Sequence, residues 1–133
     1  MNARSVNALI IGGHAVAFHA KPRFTKDIDL YVEPTDDNAQ RLLLALQDFG
    51  FGDVDLSIED FTTPGRVVQL GVAPNRVDLV TAIDGVTFAE AWAGRASGRF
   101  GPVPVFYLGK AELVRNKRAT GRTQDLADLE TLD

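Results

Sequence analysis

The chain has no cysteine and only two histidines, His14 and His19. The first absence excludes disulfides and thiolate metal sites; the second leaves a zinc site short of ligands. No apolar run approaches the roughly 20 residues that a membrane-spanning helix requires. No signal-like segment precedes the first apolar run. A cytoplasmic setting without a membrane partner is therefore expected. A basic excess is lacking too: the net charge is −4, where a nucleic-acid coat protein would be positive. What remains is ordinary for a globular protein. The 133 residues are 45% hydrophobic and 24% charged, enough for one core and one domain over residues 1–133.

The charges are segregated. Between Asp27 and Asp60 the acids are Asp27, Asp29, Glu33, Asp36, Asp37, Asp48, Asp53, Asp55, Glu59 and Asp60, against one base, Arg41. Between Arg95 and Arg122 the sign reverses, with Glu112 the lone acid. An acidic stretch suits a divalent cation and a basic one suits phosphates, although two solvated surfaces would look the same.

The patterning predicts a mixed order of strands and helices. An apolar run over residues 6–11 reads as a buried strand ended by Gly12-Gly13, and residues 14–20 read as a short helix broken at Lys21-Pro22-Arg23. Residues 27–32 alternate acidic and apolar, the period of a strand with one wet face. Thr35 caps a helix with the stripe Leu42, Leu43, Leu46 and Phe49, stopped at Gly50. Residues 53–58 read as a strand, and Thr62-Thr63-Pro64-Gly65 as a turn. Residues 66–72 and 76–83 read as a hairpin, and Thr87 with Glu90 as a capping box opening a helix through Trp92. Residues 99–108 look extended, with Pro102 and Pro104 suggesting an edge. Helices follow over residues 110–120 and from Thr123, the latter with Leu126, Leu129 and Leu132. The expected fold is α/β (α+β): a mixed, mostly antiparallel sheet flanked by helices, with the C-terminal helices (residues 110–132) on or beside the sheet.

Four features carry chemistry. Asp27 and Asp29 lie two apart on a strand, so both carboxylates project from one face, where they repel unless a hard cation neutralises them. Gly12-Gly13 between a strand and a helix permits a close phosphate approach, or is a plain tight turn. Asp78 interrupts an apolar strand, and either faces solvent or joins the first two acids around a cation. Lys117 and Arg122 would suit triphosphate oxygens, or Lys117 pairs instead with Asp125 or Asp128, which share a helix face.

In combination these motifs resemble the nucleotidyltransferase superfamily, the polymerase-beta-like fold: a glycine pair, a short helix, an acidic pair and a later strand acid. The stretches IGGHAVAFHAKPRFTKDIDLYV and NKRATGRTQDLADLETL are similar to small bacterial proteins related to AbiEii-type toxins of toxin–antitoxin systems. The resemblance implies a minimal nucleotidyltransferase fold and Mg2+- or Mn2+-dependent transfer of a nucleotide from an NTP to an acceptor hydroxyl. Asp27, Asp29 and Asp78 would be the metal ligands, with Lys117 and Asp125 as further catalytic residues and Asp128 a weaker one. Gly12, Gly13, Thr25, Lys117 and Arg122 would bind the nucleotide. The implied partners are the NTP, an RNA, tRNA or protein acceptor, an antitoxin, and a second copy of the chain in a homodimer. Two other readings share these residues: an inactive module of the same fold that pairs with an antitoxin or partner subunit, and a metal-dependent hydrolase or nuclease.

Overall fold

A computed structural model describes residues 5–20, 27–48, 56–71 and 76–132. The first strand, β1 (Ala8–Ile11), runs straight into helix α1 (Gly12–His19), so the glycine pair forms the first helical residues rather than a turn ahead of the helix. β2 (Ile28–Val32) and helix α2 (Asp36–Asp48) follow. Thr35 caps α2 as expected: its hydroxyl accepts from the Asn38 N–H at 3.3 Å, and Asp36 and Asp37 occupy the first turn. The proposed break at residues 21–23, Phe49, the stop at Gly50 and the first half (53–55) of the strand assigned to residues 53–58 lie outside the described residues. The end of that segment is corrected: Ile58–Phe61 is a 3-10 turn closed by a Ser57–Asp60 capping box, a local signal stronger than the weak apolar alternation there.

The expected hairpin is present as β3 (Val67–Leu70) antiparallel to β4 (Val77–Val80). The Thr87–Glu90 capping box opens helix α3 (Phe88–Ala93). A second hairpin was only half foreseen: β5 (Ala96–Phe100) turns at Gly101-Pro102 into β6 (Val103–Tyr107). Its prolines do not mark β6 as an edge, because β6 lies between β1 and β5. Pairing of β1 with β6 is centred on Ile10 and Tyr107, so in this parallel register Pro104 falls level with residue 7, beyond the start of β1. Helices α4 (Lys110–Thr120) and α5 (Thr123–Leu132) are separated by Gly121 in the left-handed conformation at φ 63°.

The strands form one sheet in the order β3-β4-β2-β1-β6-β5. Pairing is antiparallel in β1–β2, β3–β4 and β5–β6, and parallel in β1–β6 and β2–β4. The fold is thus α+β with a mixed, mostly antiparallel sheet. Register partners share a face, so Ile10, Leu30, Leu79 and Tyr107 line one side. There α2 buries Leu42 and Leu46 against Leu70 and Leu79, and α1 stacks Phe18 on Tyr107. The other side carries Tyr31 and Phe106, covered by Phe88 and Trp92 of α3. Leu113 of α4 and Leu132 of α5 complete that core. The acids of β2 and β4 belong to this second side, at the end of the sheet where β1 gives way to α1.

Candidate functional site

β2 and β4 run parallel with Asp29 opposite Asp78. The period of two then places Asp27 and Asp29 on one strand beside Arg76 and Asp78 on the other, a ladder of three carboxylates and one guanidinium. Asp29 is held above the ordinary carboxylate value, first by burial and then by the charges of Asp78 and Asp27. A side-chain contact with Asp78 adds to the upward push on the Asp29 carboxyl. Asp78 is 16% exposed, and its Oδ1 is buried with no hydrogen-bond partner among the described residues. Arg76 Nη2 lies 3.3 Å from Asp27 Oδ2 and 3.7 Å from Asp78 Oδ2.

Gly12 faces this pair from the end of β1. Its φ of 67° is left-handed, and a Cβ there would overlap the Asp29 carboxylate. Glycine is therefore needed twice over, for the backbone and for the space. Gly12→Ala is expected to lower folding stability by about 1–2 kcal/mol through the left-handed backbone alone. It should also displace Asp29; chemical unfolding reads the first effect and divalent-cation titration the second. Ile11, the residue before α1, makes no side-chain cap, and the N-terminus of the helix begins at Gly12 beside Asp29.

Across from Asp29 stands Lys117 of α4, whose charge partly offsets the upward push on the Asp29 carboxyl. Lys117 is 7% exposed and bridges two acids of α5, donating to Asp125 Oδ1 at 3.0 Å and lying 3.2 Å from Asp128 Oδ2. Asp125 also accepts from the Thr120 hydroxyl, from the Arg122 N–H and from Arg122 Nε. Burial would raise the Asp125 carboxyl, but the bonds from Arg122, Thr120 and Lys117 outweigh it and hold the group well below the usual carboxylate range. α5 is inverted relative to an ordinary amphipathic helix: Asp125 and Asp128 are buried while Leu126 is 54% exposed. The leucine stripe expected for this helix is reduced to Leu132 as its buried member.

A cleft of about 490 Å³ opens between these elements, lined by Gly12, Asp29, Asp84, Asn116, Lys117 and Arg122 among others. Of the residues singled out in the sequence, Gly12, Asp29, Lys117 and Arg122 line it together. Asp78 stands beside Asp29 in the sheet, and Asp27 is one register step away in the grip of Arg76. Gly13 is in α1 and does not line the cleft. Asp125 sits behind Lys117 and Arg122 rather than in the cleft, and Thr25 lies outside the described residues. Lys117 meets Asp125 and Asp128, the ion-pair alternative of the sequence reading. Arg76 and the cleft-lining Asn116 and Asp84 were given no role in the sequence. Arg76 could have been found once the register of β4 on β2 was known, because it is two residues from Asp78. A larger apolar cavity of about 740 Å³ lies chiefly along the opposite side of the sheet, over Ile10, Leu30 and Leu79, and is lined by no acid.

Among the described residues no group of three His, Cys, Asp or Glu side chains forms a ready-made metal cage. The donors fit a different arrangement. Mg2+ is commonly held by one or two carboxylates together with substrate phosphates. Asp29 and Asp78, mutually repelling and with one buried oxygen unpartnered among the described residues, supply such a pair. No protein-family model and no curated protein matches the chain.

Proposed function

We propose that this chain is a magnesium-dependent nucleotidyltransferase that moves a nucleotide from an NTP to an acceptor hydroxyl. The observation that carries the reading is the register pair Asp29–Asp78, set against Gly12 and the start of α1 and faced by Lys117 across one cleft. Asp29 and Asp78 would hold Mg2+, with Asp27 joining them. When bound, the ion would neutralise phosphate charge and favour the deprotonated acceptor oxygen. The N-terminus of α1 would offer N–H hydrogen bonds to the triphosphate at the point where Gly12 allows close approach. Arg122, 75% exposed though anchored on Asp125, presents its guanidinium at the cleft. Lys117 is held by buried acids and acts on Asp29 from the far wall of the cleft, tempering its negative charge rather than reaching out as a free phosphate ligand.

An RNA acceptor, tRNA included, is favoured by the exposed bases on the C-terminal third, Arg95, Arg99, Lys110 and Arg118. The test supplies each NTP, labelled at the α-phosphate, with Mg2+ or Mn2+ and total RNA or protein. Labelled RNA with released pyrophosphate is the expected outcome. Labelled protein would move the acceptor class, and labelled free monophosphate without any tagged acceptor would replace transfer by hydrolysis. A second reading is favoured by the engagement of Asp27 with Arg76: a nucleotide-binding module that pairs with an antitoxin or partner subunit and does not turn over. It predicts NTP binding without any labelled product.

A further inference from the structure

Arg76 is the one base in the acidic ladder, and the manner in which it is held is unusual. A single nitrogen, Nη2, serves both Asp27 at 3.3 Å and Asp78 at 3.7 Å. Neither contact is the two-pronged pairing that makes arginine–carboxylate bonds strong. Arg76 Nε is buried without a hydrogen-bond partner among the described residues. About a third of the Arg76 side chain and a similar share of Asp27 face solvent, where ion pairs are weak and readily exchanged. The main chain is anchored, since the Arg76 carbonyl accepts from the Ile28 N–H at 3.1 Å. The guanidinium can therefore leave the carboxylates while its Cα stays at the start of β4, within a side chain's reach of the acids.

We infer that Arg76 is a displaceable counter-ion that competes with a divalent cation for Asp27 and Asp78, and that loading of metal with nucleotide moves its guanidinium from the carboxylates to the phosphates. This rests on the metal-dependent reading above. A loose monovalent partner quenches the repulsion among three acids, yet yields to an ion of twice the charge that binds oxygen at shorter range. The cation alone must evict Arg76 with nothing to receive it. The cation with a triphosphate offers the guanidinium a new anionic partner, so metal binding becomes coupled to nucleotide binding.

The experiment measures Mn2+ affinity of the full chain by calorimetry, alone and with a non-hydrolysable nucleoside triphosphate, in wild type, Arg76→Gln, Arg76→Met and Arg76→Lys. Circular dichroism checks the fold of each, and either neutral variant suffices if the other does not fold. The neutral variants are expected to bind Mn2+ alone about tenfold more tightly than wild type, within the usual range of coupling between sites. Arg76→Lys, which keeps the charge, stays near wild type. With the triphosphate present the neutral variants lose their advantage. Without metal they melt at lower temperature than wild type, and Mn2+ restores them. Equal Mn2+ affinity in wild type and the neutral variants overturns the counter-ion role and leaves the metal site standing. If no protein binds Mn2+, with or without the triphosphate, the metal-dependent reading falls and the counter-ion role falls with it.

Discussion

Lys117→Met is expected to destabilise the fold by about 3–5 kcal/mol, the range for removing one partner of a buried ion pair. The lysine is 7% exposed and is flanked by Asp125 and Asp128, at 1% and 3%. Methionine matches the stem but leaves two buried carboxylates without their shared cation. Asp125 keeps Arg122 and Thr120, which holds the loss toward the lower end of the range. The pH dependence follows from the sign of the shift. Asp125 is depressed below its ordinary value of 3.8, so the stability it contributes is complete above 3.8 and is lost as the pH falls through its folded value. In the variant Asp125 loses the Lys117 contribution to that depression, so the gap to wild type narrows in acid. Urea unfolding at pH 7 and pH 4 measures both effects. Replacing the whole cluster with Lys117→Met, Asp125→Leu and Asp128→Leu should recover most of the loss, because no buried charge then remains. A triple variant as unstable as the single one would show that the charges are worth more than their desolvation.

Local chemistry was the legible part of the fold. Alternation in residues 28–32, the Thr87–Glu90 box and Gly121 each carry their own physical cause within a few residues, and each element stands where that cause puts it. β5 was legible only at its end. Ala96-Ser97-Gly98-Arg99-Phe100 alternates in burial, but its alanine and glycine are poor strand formers, and Gly98 sits where it leaves room for the Phe18–Tyr107 stack. Phe18 is distant in sequence, so no window around Gly98 contains that part of the reason.

The candidate site divides along the same line. Period two is enough to put Asp27 and Asp29 on one face. Nothing local states that β4 pairs parallel with β2 so that Asp78, rather than a neighbour, meets Asp29. The same missing register hid Arg76. The spacing of Asp125 and Asp128 put them on one helix face, but a pair of acids ordinarily reads as solvated. Only the position of Lys117, on the preceding helix, makes that face the buried one.

Asp29→Asn is expected to move activity and stability in opposite directions. Loss of a carboxylate that holds the metal should lower kcat/KM for nucleotide transfer roughly a thousandfold, the rate equivalent of about 4 kcal/mol of transition-state stabilisation. The wild-type carboxyl is raised above 3.8 by burial and by Asp78 and Asp27. An acid raised in the folded state favours folding while protonated; that contribution is greatest below 3.8 and is lost as the pH rises through the folded value. At neutral pH its ionised form therefore burdens the fold. Asparagine removes the charge, keeps the shape and offers an N–H to the Asp78 carboxylate, whose Oδ1 has no hydrogen-bond partner among the described residues. The variant should melt at a higher temperature than wild type at pH 7 without divalent cations, and the difference should shrink as the pH is lowered toward 3.8. Mn2+ should raise the melting temperature of wild type and leave the variant unmoved. A purely structural Asp29 would lower stability when replaced at any pH. Gain of stability with loss of metal response is what a residue kept for function, at a cost to the fold, must give.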